Sequence, residues 1–160
     1  MKMKWIVATV LLIGVVIISG LGILYTVAKK PEQNEFAKYE ELVKSQGLLS
    51  TVSEVYAYNS VTSYVTVIGK SSEGQDVAYI IDKAENQTAY EVNLSDGISA
   101  EEAEQRTRAE GNVEKIMSIK LGHEEIGPVW EVTYLNTNDA LGYTYLDFKS
   151  GDWWKRISNL

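Results

Sequence analysis

Hydrophobic and polar positions fall into three regimes along the chain. From Trp5 to Ala28 (WIVATVLLIGVVIISGLGILYTVA) no charged residue interrupts the apolar run. From Pro31 to Gln46 apolar residues recur at helical spacing, and beyond Thr51 they alternate with period two, interrupted by one further helical stretch. The first regime predicts a single membrane-spanning helix: at ~1.5 Å per residue it reaches about 36 Å, enough to cross a hydrocarbon core of about 30 Å with some tilt. A buried core helix rarely stays free of charge for so long. A secretory signal is the nearer rival, since Lys2 and Lys4 form a basic start, but a cleaved apolar region usually runs only ~7–15 residues. The segment is therefore read as an uncleaved anchor. Lys29 and Lys30 balance the lysines before it, while Glu32 and Glu35 follow on the far side, so the expected topology keeps the amino terminus inside and the body outside the cell. This places the protein in the cell membrane as a single-pass chain with its C-terminal body extracytoplasmic.

Within the second regime, Phe36, Tyr39 and Val43 share one stripe, Glu40 precedes Lys44 by one helical turn, and Gly47 stands as a stop signal. Pro31 is tolerated in a first turn, so this helix either restarts there or runs on from the span with a kink. The third regime opens with strands predicted at 53–58, 63–68, 76–81 and 88–93, separated by turn-forming Ser71-Ser72-Glu73-Gly74 and Lys83-Ala84-Glu85-Asn86. A second helix follows. Ser99 is its N-cap, Glu102 the capping-box partner, Ile98 and Ala103 a candidate staple, and Gly111 the stop. Its inner face of Ala100, Ala103 and Thr107 is small enough to lie close on a sheet. Four more strands are predicted at 113–121, 129–135, 141–148 and 153–157, with Gly127-Pro128, Asn136-Thr137-Asn138-Asp139 and Ser150-Gly151-Asp152 as turns.

A helix followed by an antiparallel meander thus occurs twice. At an offset of about 66 residues Tyr64 falls on Trp130, Tyr79 on Tyr145 and Lys83 on Lys149, as a diverged duplication leaves behind. The expected fold class is α+β: a single N-terminal transmembrane helix with its tail (residues 1–30), then two tandem units, 31–94 and 95–160, each a helix on an antiparallel sheet.

Charge narrows the list of partners. Residues 1–30 hold four lysines and no acid, leaving 11 Lys+Arg against 22 Asp+Glu in the body, a net charge of −11. Such a surface repels phosphate backbones, so no nucleic-acid partner is expected. The chain contains no cysteine, which excludes disulfides, thiolate metal sites and cysteine nucleophiles. His123, in His123-Glu124-Glu125, reads as a solvated loop residue between strands, because a metal site needs several convergent ligands and there is no second histidine. No G-x-S-x-G, S-x-x-K, phosphate-binding loop or dinucleotide fingerprint is present. Adjacent acid pairs such as Glu101-Glu102 point apart on their elements and read as solvated faces. No catalytic, cofactor-binding or metal-ligating residue is assigned, and the chain reads as a non-enzyme.

The aromatic pattern is more informative. Trp153-Trp154 follows the last turn, and consecutive strand residues face opposite ways, so one tryptophan fills the core while the other stays at the surface. Tyr143 and Tyr145, with Tyr134 and Trp130 on the neighbouring strand, extend the band. Core and cross-strand packing is one explanation; the other is an exposed patch for a protein partner, since Trp and Tyr dominate interface energetics. On the second reading Tyr143, Trp153 and Trp154 are the partner-binding residues.

The segments ISAEEAEQRTRAEG, GPVWEVTYL and YTYLDFKSGDWWKRI resemble the PepSY-type unit, a helix and short sheet ending in a strand, D-x-x-x-G, strand hairpin, with Asp147 and Gly151 in those positions. The first half has Asp82 and Asn86 there instead. The whole layout is similar to the TseB (YpmB-like) cell-wall elongation regulators of Gram-positive bacteria. That resemblance implies tandem cystatin-like units outside the cytoplasmic membrane, association with a penicillin-binding transpeptidase of the elongation machinery, and no catalytic residues or cofactor. A PepSY-like inhibitor or chaperone of an extracellular protease is the alternative function, and a ligand sensor with a cleft between the units a third.

Overall fold

The computed structural model describes residues 2–84 and 90–158; within the first helix, the side chains of residues 2–11 and 23–32 fall outside that description. Two compact units are present, Met1–Lys38 and Tyr39–Leu160. Helix α1, Lys2–Ser45, runs without interruption through Pro31, so of the two arrangements left open by the sequence the helix continues. In the first unit, Leu12, Ile13, Val15, Val16, Ile17, Ile18 and Leu21 are each more than half exposed. Among the described residues no helix is long and apolar enough to cross a membrane. The span read from the sequence, 5–28, rests largely on side chains (5–11 and 23–28) outside the described residues.

The second unit begins with the last turns of α1, where Tyr39 and Val43 are buried. Gly47, at φ 70°, ends the helix in a left-handed turn, and the amides of Gly47 and Leu48 close on the carbonyls of Lys44 and Val43. Strands β1 (Thr51–Asn59), β2 (Ser63–Lys70), β3 (Asp76–Asp82) and β4 (Tyr90–Asn93) form one antiparallel sheet in sequential order. The fourth strand was predicted from residue 88, and its first two positions lie outside the described residues. A 3-10 turn at Leu94–Asp96 leads to helix α2, Ala100–Ala109. Ser99 caps it, its hydroxyl accepting from the Glu102 amide at 3.1 Å. Instead of reaching back to complete a capping box, the Glu102 carboxylate pairs with Arg106 at 2.8 Å. Strands β5 (Val113–Glu124), β6 (Gly127–Asn136), β7 (Leu141–Asp147) and β8 (Trp153–Ile157) make the second sheet, again sequential and antiparallel.

Strand register fixes which side chains share a face. In the first sheet Tyr64, Thr66 and Ile68 line up with Ala78, Ile80 and Val92. The other face carries Val65, Val67, Val77, Tyr79 and Ile81, also buried. Sheets covered on both sides read as continuous apolar runs, which is why VTVIG and VAYII show little alternation. Leu49 meets the second face: a β-carbon on Gly69 would lie 3.1 Å from its Cδ1. In the second sheet Trp130 and Val132 face α2 with Leu146 and Thr144 as neighbours, while Glu131 and Thr133 face away beside Tyr145 and Tyr143. The small Ala103 and Thr107 are fully buried under the helix, as their size predicts. One hydrophobic cluster joins the halves, running from Tyr58, Tyr64, Ile80 and Val92 through Ile98 and Ala103 to Leu121, Trp130, Leu146 and Phe148.

Candidate functional site

Strand β5 is the outer strand of its sheet, and its free edge is closed by side chains of the first sheet instead of a further strand. The Tyr56 hydroxyl accepts from the Leu121 amide at 2.9 Å, and the Thr66 hydroxyl donates to the Leu121 carbonyl at 2.8 Å. Lys120 donates to the Ala57 carbonyl at 2.9 Å, and Tyr58 donates to Glu124 at 2.6 Å. An edge satisfied in this way cannot template another strand. At the opposite edge β8 carries Lys155 and Arg156, and no strand among the described residues pairs beyond it.

The face of the second sheet turned away from α2 forms a groove of about 530 Å³. Two cross-strand rows build it: Lys120, Glu131, Tyr145 and Lys155, then Ser118, Thr133, Tyr143 and Ile157. Lys155 lies over the rings of Tyr145 and Trp154, 5.5 and 5.7 Å from their centroids. Burial raises the Glu131 carboxyl above its ordinary range, opposed by a hydrogen bond from Tyr145 and the charge of Lys120. The Tyr145 phenol is likewise pushed up by burial and then by Glu131. The groove is therefore an aromatic floor with one carboxylate, Glu131, set in a row between Lys120 and Lys155.

Each residue singled out in the sequence has a definite place here. Tyr143 is half-buried in the groove floor. Trp154 stands edge-on to Tyr145 at 6.2 Å and packs on the core, whereas Trp153 is 58% exposed. A register shift at this point lets Trp153 pair with Leu146 and Lys155 with Tyr145, leaving Trp154 as the extra residue of a bulge. Trp130 is buried on the other face, its indole donating to the Ile98 carbonyl at 2.8 Å. The aromatic band is thus split between core and groove.

The D-x-x-x-G turn is held from outside. Asp147 accepts from the Ser150 amide at 2.7 Å, and Gly151 takes φ 71°. The Arg106 guanidinium donates to the carbonyls of Ser150 and Gly151 at 3.1 and 3.0 Å, tying α2 to the hairpin. Nothing in the local sequence of Arg106 announces that partnership.

His123 requires a correction. It belongs to β5, not to a loop, because Gly127 adopts φ 114° directly after the Glu125-Ile126 turn and Gly127-Pro128 therefore start β6 instead of forming the turn. Its ring stacks on Tyr90 at 3.6 Å and 11°, with Tyr64 6.0 Å away. Partial burial lowers its pKa, against the pull of Glu124. The stack joins residues far apart in sequence, so no local pattern pointed to it.

Two sequential meanders fused through one core, the second packed under α2, define an α+β protein of repeated layout that presents a broad aromatic sheet face. Residues 40–82 match the family described as cell wall elongation regulator TseB-like domain. Over 162 residues, 99% of this chain and 99% of the relative, the sequence is 26% identical to "Probable cell wall elongation regulator TseB" of Bacillus subtilis (strain 168). The solved structure of the "YpmB protein from Bacillus subtilis" matches with a TM-score of 0.64 at 26% identity, covering 72% of this chain and 90% of that one. Together these likenesses support the TseB/YpmB family for this chain. The family match falls on the first sheet, although the motifs that carried the resemblance in the sequence lie in the second.

Proposed function

We propose that the protein is a membrane-anchored, extracytoplasmic interaction module that regulates cell-wall elongation by binding a penicillin-binding transpeptidase, without catalysis of its own. The observation that carries the reading is the likeness over nearly the full length of both chains to a probable cell wall elongation regulator. Anchoring is supported by the charge-free run and by the aliphatic side chains exposed between Leu12 and Leu21, a surface that water covers at high cost. On this reading residues 31–94 and 95–160 are the two cystatin-like, PepSY-like units beyond the anchor. Tethering confines the search for a partner to two dimensions and raises effective concentration, so a modest interface suffices. Tyr143, Trp153 and Trp154 supply the aromatic contacts of that interface.

Affinity purification of the tagged chain from detergent-solubilised membranes tests this. A penicillin-binding transpeptidase is expected to co-purify, and Tyr143→Ala or Trp154→Ala to reduce its recovery by about tenfold while the protein remains folded, as interface anchors typically cost ≥ ~1.4 kcal/mol. Undiminished recovery with both variants would remove the aromatic groove from the interface. Recovery of an extracellular protease instead, with unchanged cell length and wall-antibiotic response in a deletion strain, would overturn the assignment in favour of protease inhibition.

A further inference from the structure

Three surface features lie outside the groove described above: the Arg106 clamp, the β8 edge, and the end of the molecule where the β1–β2 and β5–β6 turns meet. The first has a purely structural explanation, and the edge is blunted by Lys155 and Arg156, the latter paired with Glu110. The third is different. Between the two turns lies a cavity of about 280 Å³, walled by Tyr64, Tyr90 and His123 and rimmed by Glu124, Glu125 and the turn Ser60–Thr62. We propose that this cavity is a docking site for a basic segment of a protein partner, seating one lysine or arginine side chain against Tyr64, Tyr90 and the two glutamates while flanking apolar residues rest on Val61 and Ile126.

Charge selects the ligand. Among the described residues two carboxylates and no lysine or arginine line the cavity, in a body whose net charge is −11. The aromatic walls are fixed: Tyr90 is clamped by the His123 stack, and Tyr64 meets it edge-on at 6.4 Å and 68°. Tyrosine faces attract cations through their quadrupole, more strongly when partly desolvated. Glu124 is held in place by the Tyr58 hydroxyl, so its carboxylate does not need ordering on binding. At about 280 Å³ the cavity has room for one long side chain, at the foot of the ~300–1,000 Å³ range of small-molecule sites. The turn tips supply the rest. Val61 is 99% exposed and Ile126 is 44% exposed, at corresponding turns of the two sheets. Pinning β4 to β5 explains the ring stack, but it does not explain why a large aliphatic residue stands exposed at each tip, with Glu124 and Glu125 on the cavity rim between them.

The inference is independent of the cell-wall reading and needs no knowledge of the partner's name. His123 is the only histidine, so its imidazole proton resonance in the full-length protein in detergent micelles reports on this cavity alone. The probes are the peptide acetyl-Ala-Leu-Lys-Leu-Ala-amide, the same peptide with Nε-acetyl-lysine, and free lysine amide. The lysine peptide is expected to shift the resonance saturably, about tenfold more tightly than either other probe. Glu125→Gln weakens it by about fivefold. Val61→Ser, at a site too exposed to affect folding, weakens the peptide and leaves lysine amide unchanged. Equal binding of the free and acetylated lysine peptides would overturn the proposal, as would the absence of a saturable shift below about 10 mM. Lysine amide binding as tightly as the peptide, or indifference to Val61→Ser, would equally overturn docking of a protein segment.

Discussion

Tyr58 shows how much one side chain carries here. Its ring is buried against Gly122, and its hydroxyl donates to Glu124 at 2.6 Å across the junction of the two sheets. Burial, followed by the neighbouring carboxylate, raises its pKa well above that of a free phenol, so the hydroxyl remains a donor throughout the physiological range. Tyr58→Phe keeps the ring and removes only the donor. It should lower stability by ~1–2 kcal/mol, read from urea unfolding with an unchanged m-value; a midpoint identical to that of the parent would show the bond to be idle. The sequence exposes Tyr58 as one member of an alternating aromatic strand and no more. Its partner lies 66 residues away, and period-two patterning tells which face a residue occupies but not what comes to meet it. His123 is misread for a related reason: Gly-Pro usually marks a turn, but here the left-handed Gly127 follows the turn, extending β5 through the histidine and stacking it on Tyr90.

Among the elements, β5 is the one on which both halves converge, and it can do so because Gly122 lacks a side chain. A β-carbon there would collide with the Tyr58 ring, which is hemmed in by the core. Gly122→Ala is expected to cost ~1–3 kcal/mol, the range for overpacking a closed core, and to lower the thermal midpoint accordingly. A midpoint equal to that of the parent would mean that the sheets separate without resistance. Local chemistry makes most elements legible. Ser99 and Gly111 bound α2, Gly47 ends α1, and the small Ala103 and Thr107 foretell a close helix-to-sheet approach, because each signal acts within a few residues. Glu102 departs from its expected part: Arg106, drawn into place by the Ser150 and Gly151 carbonyls, claims the carboxylate that would have closed the capping box.

For the molecule as a whole, the repeated layout was readable at an offset of about 66 residues, and both sheets do run in sequential antiparallel order. The shared core was not. Cluster residues from both sheets and from α2 are contiguous, so neither sheet of the second unit has a complete core of its own. That unit should therefore melt in a single transition with coincident fluorescence and far-UV signals, and two resolved transitions would show the sheets to be separable. A body built this way offers rigid faces: the aromatic groove around Tyr143 and Tyr145, and the exposed Trp153 on the edge strand β8. What such a surface does is decided by what touches it in the growing cell. Placing a photo-crosslinking amino acid at Trp153 and illuminating intact cells reads that contact directly. A covalent adduct with the extracytoplasmic part of a penicillin-binding transpeptidase is expected. Adducts confined to cytosolic proteins, or none with any protein of wall synthesis, would contradict the proposed function.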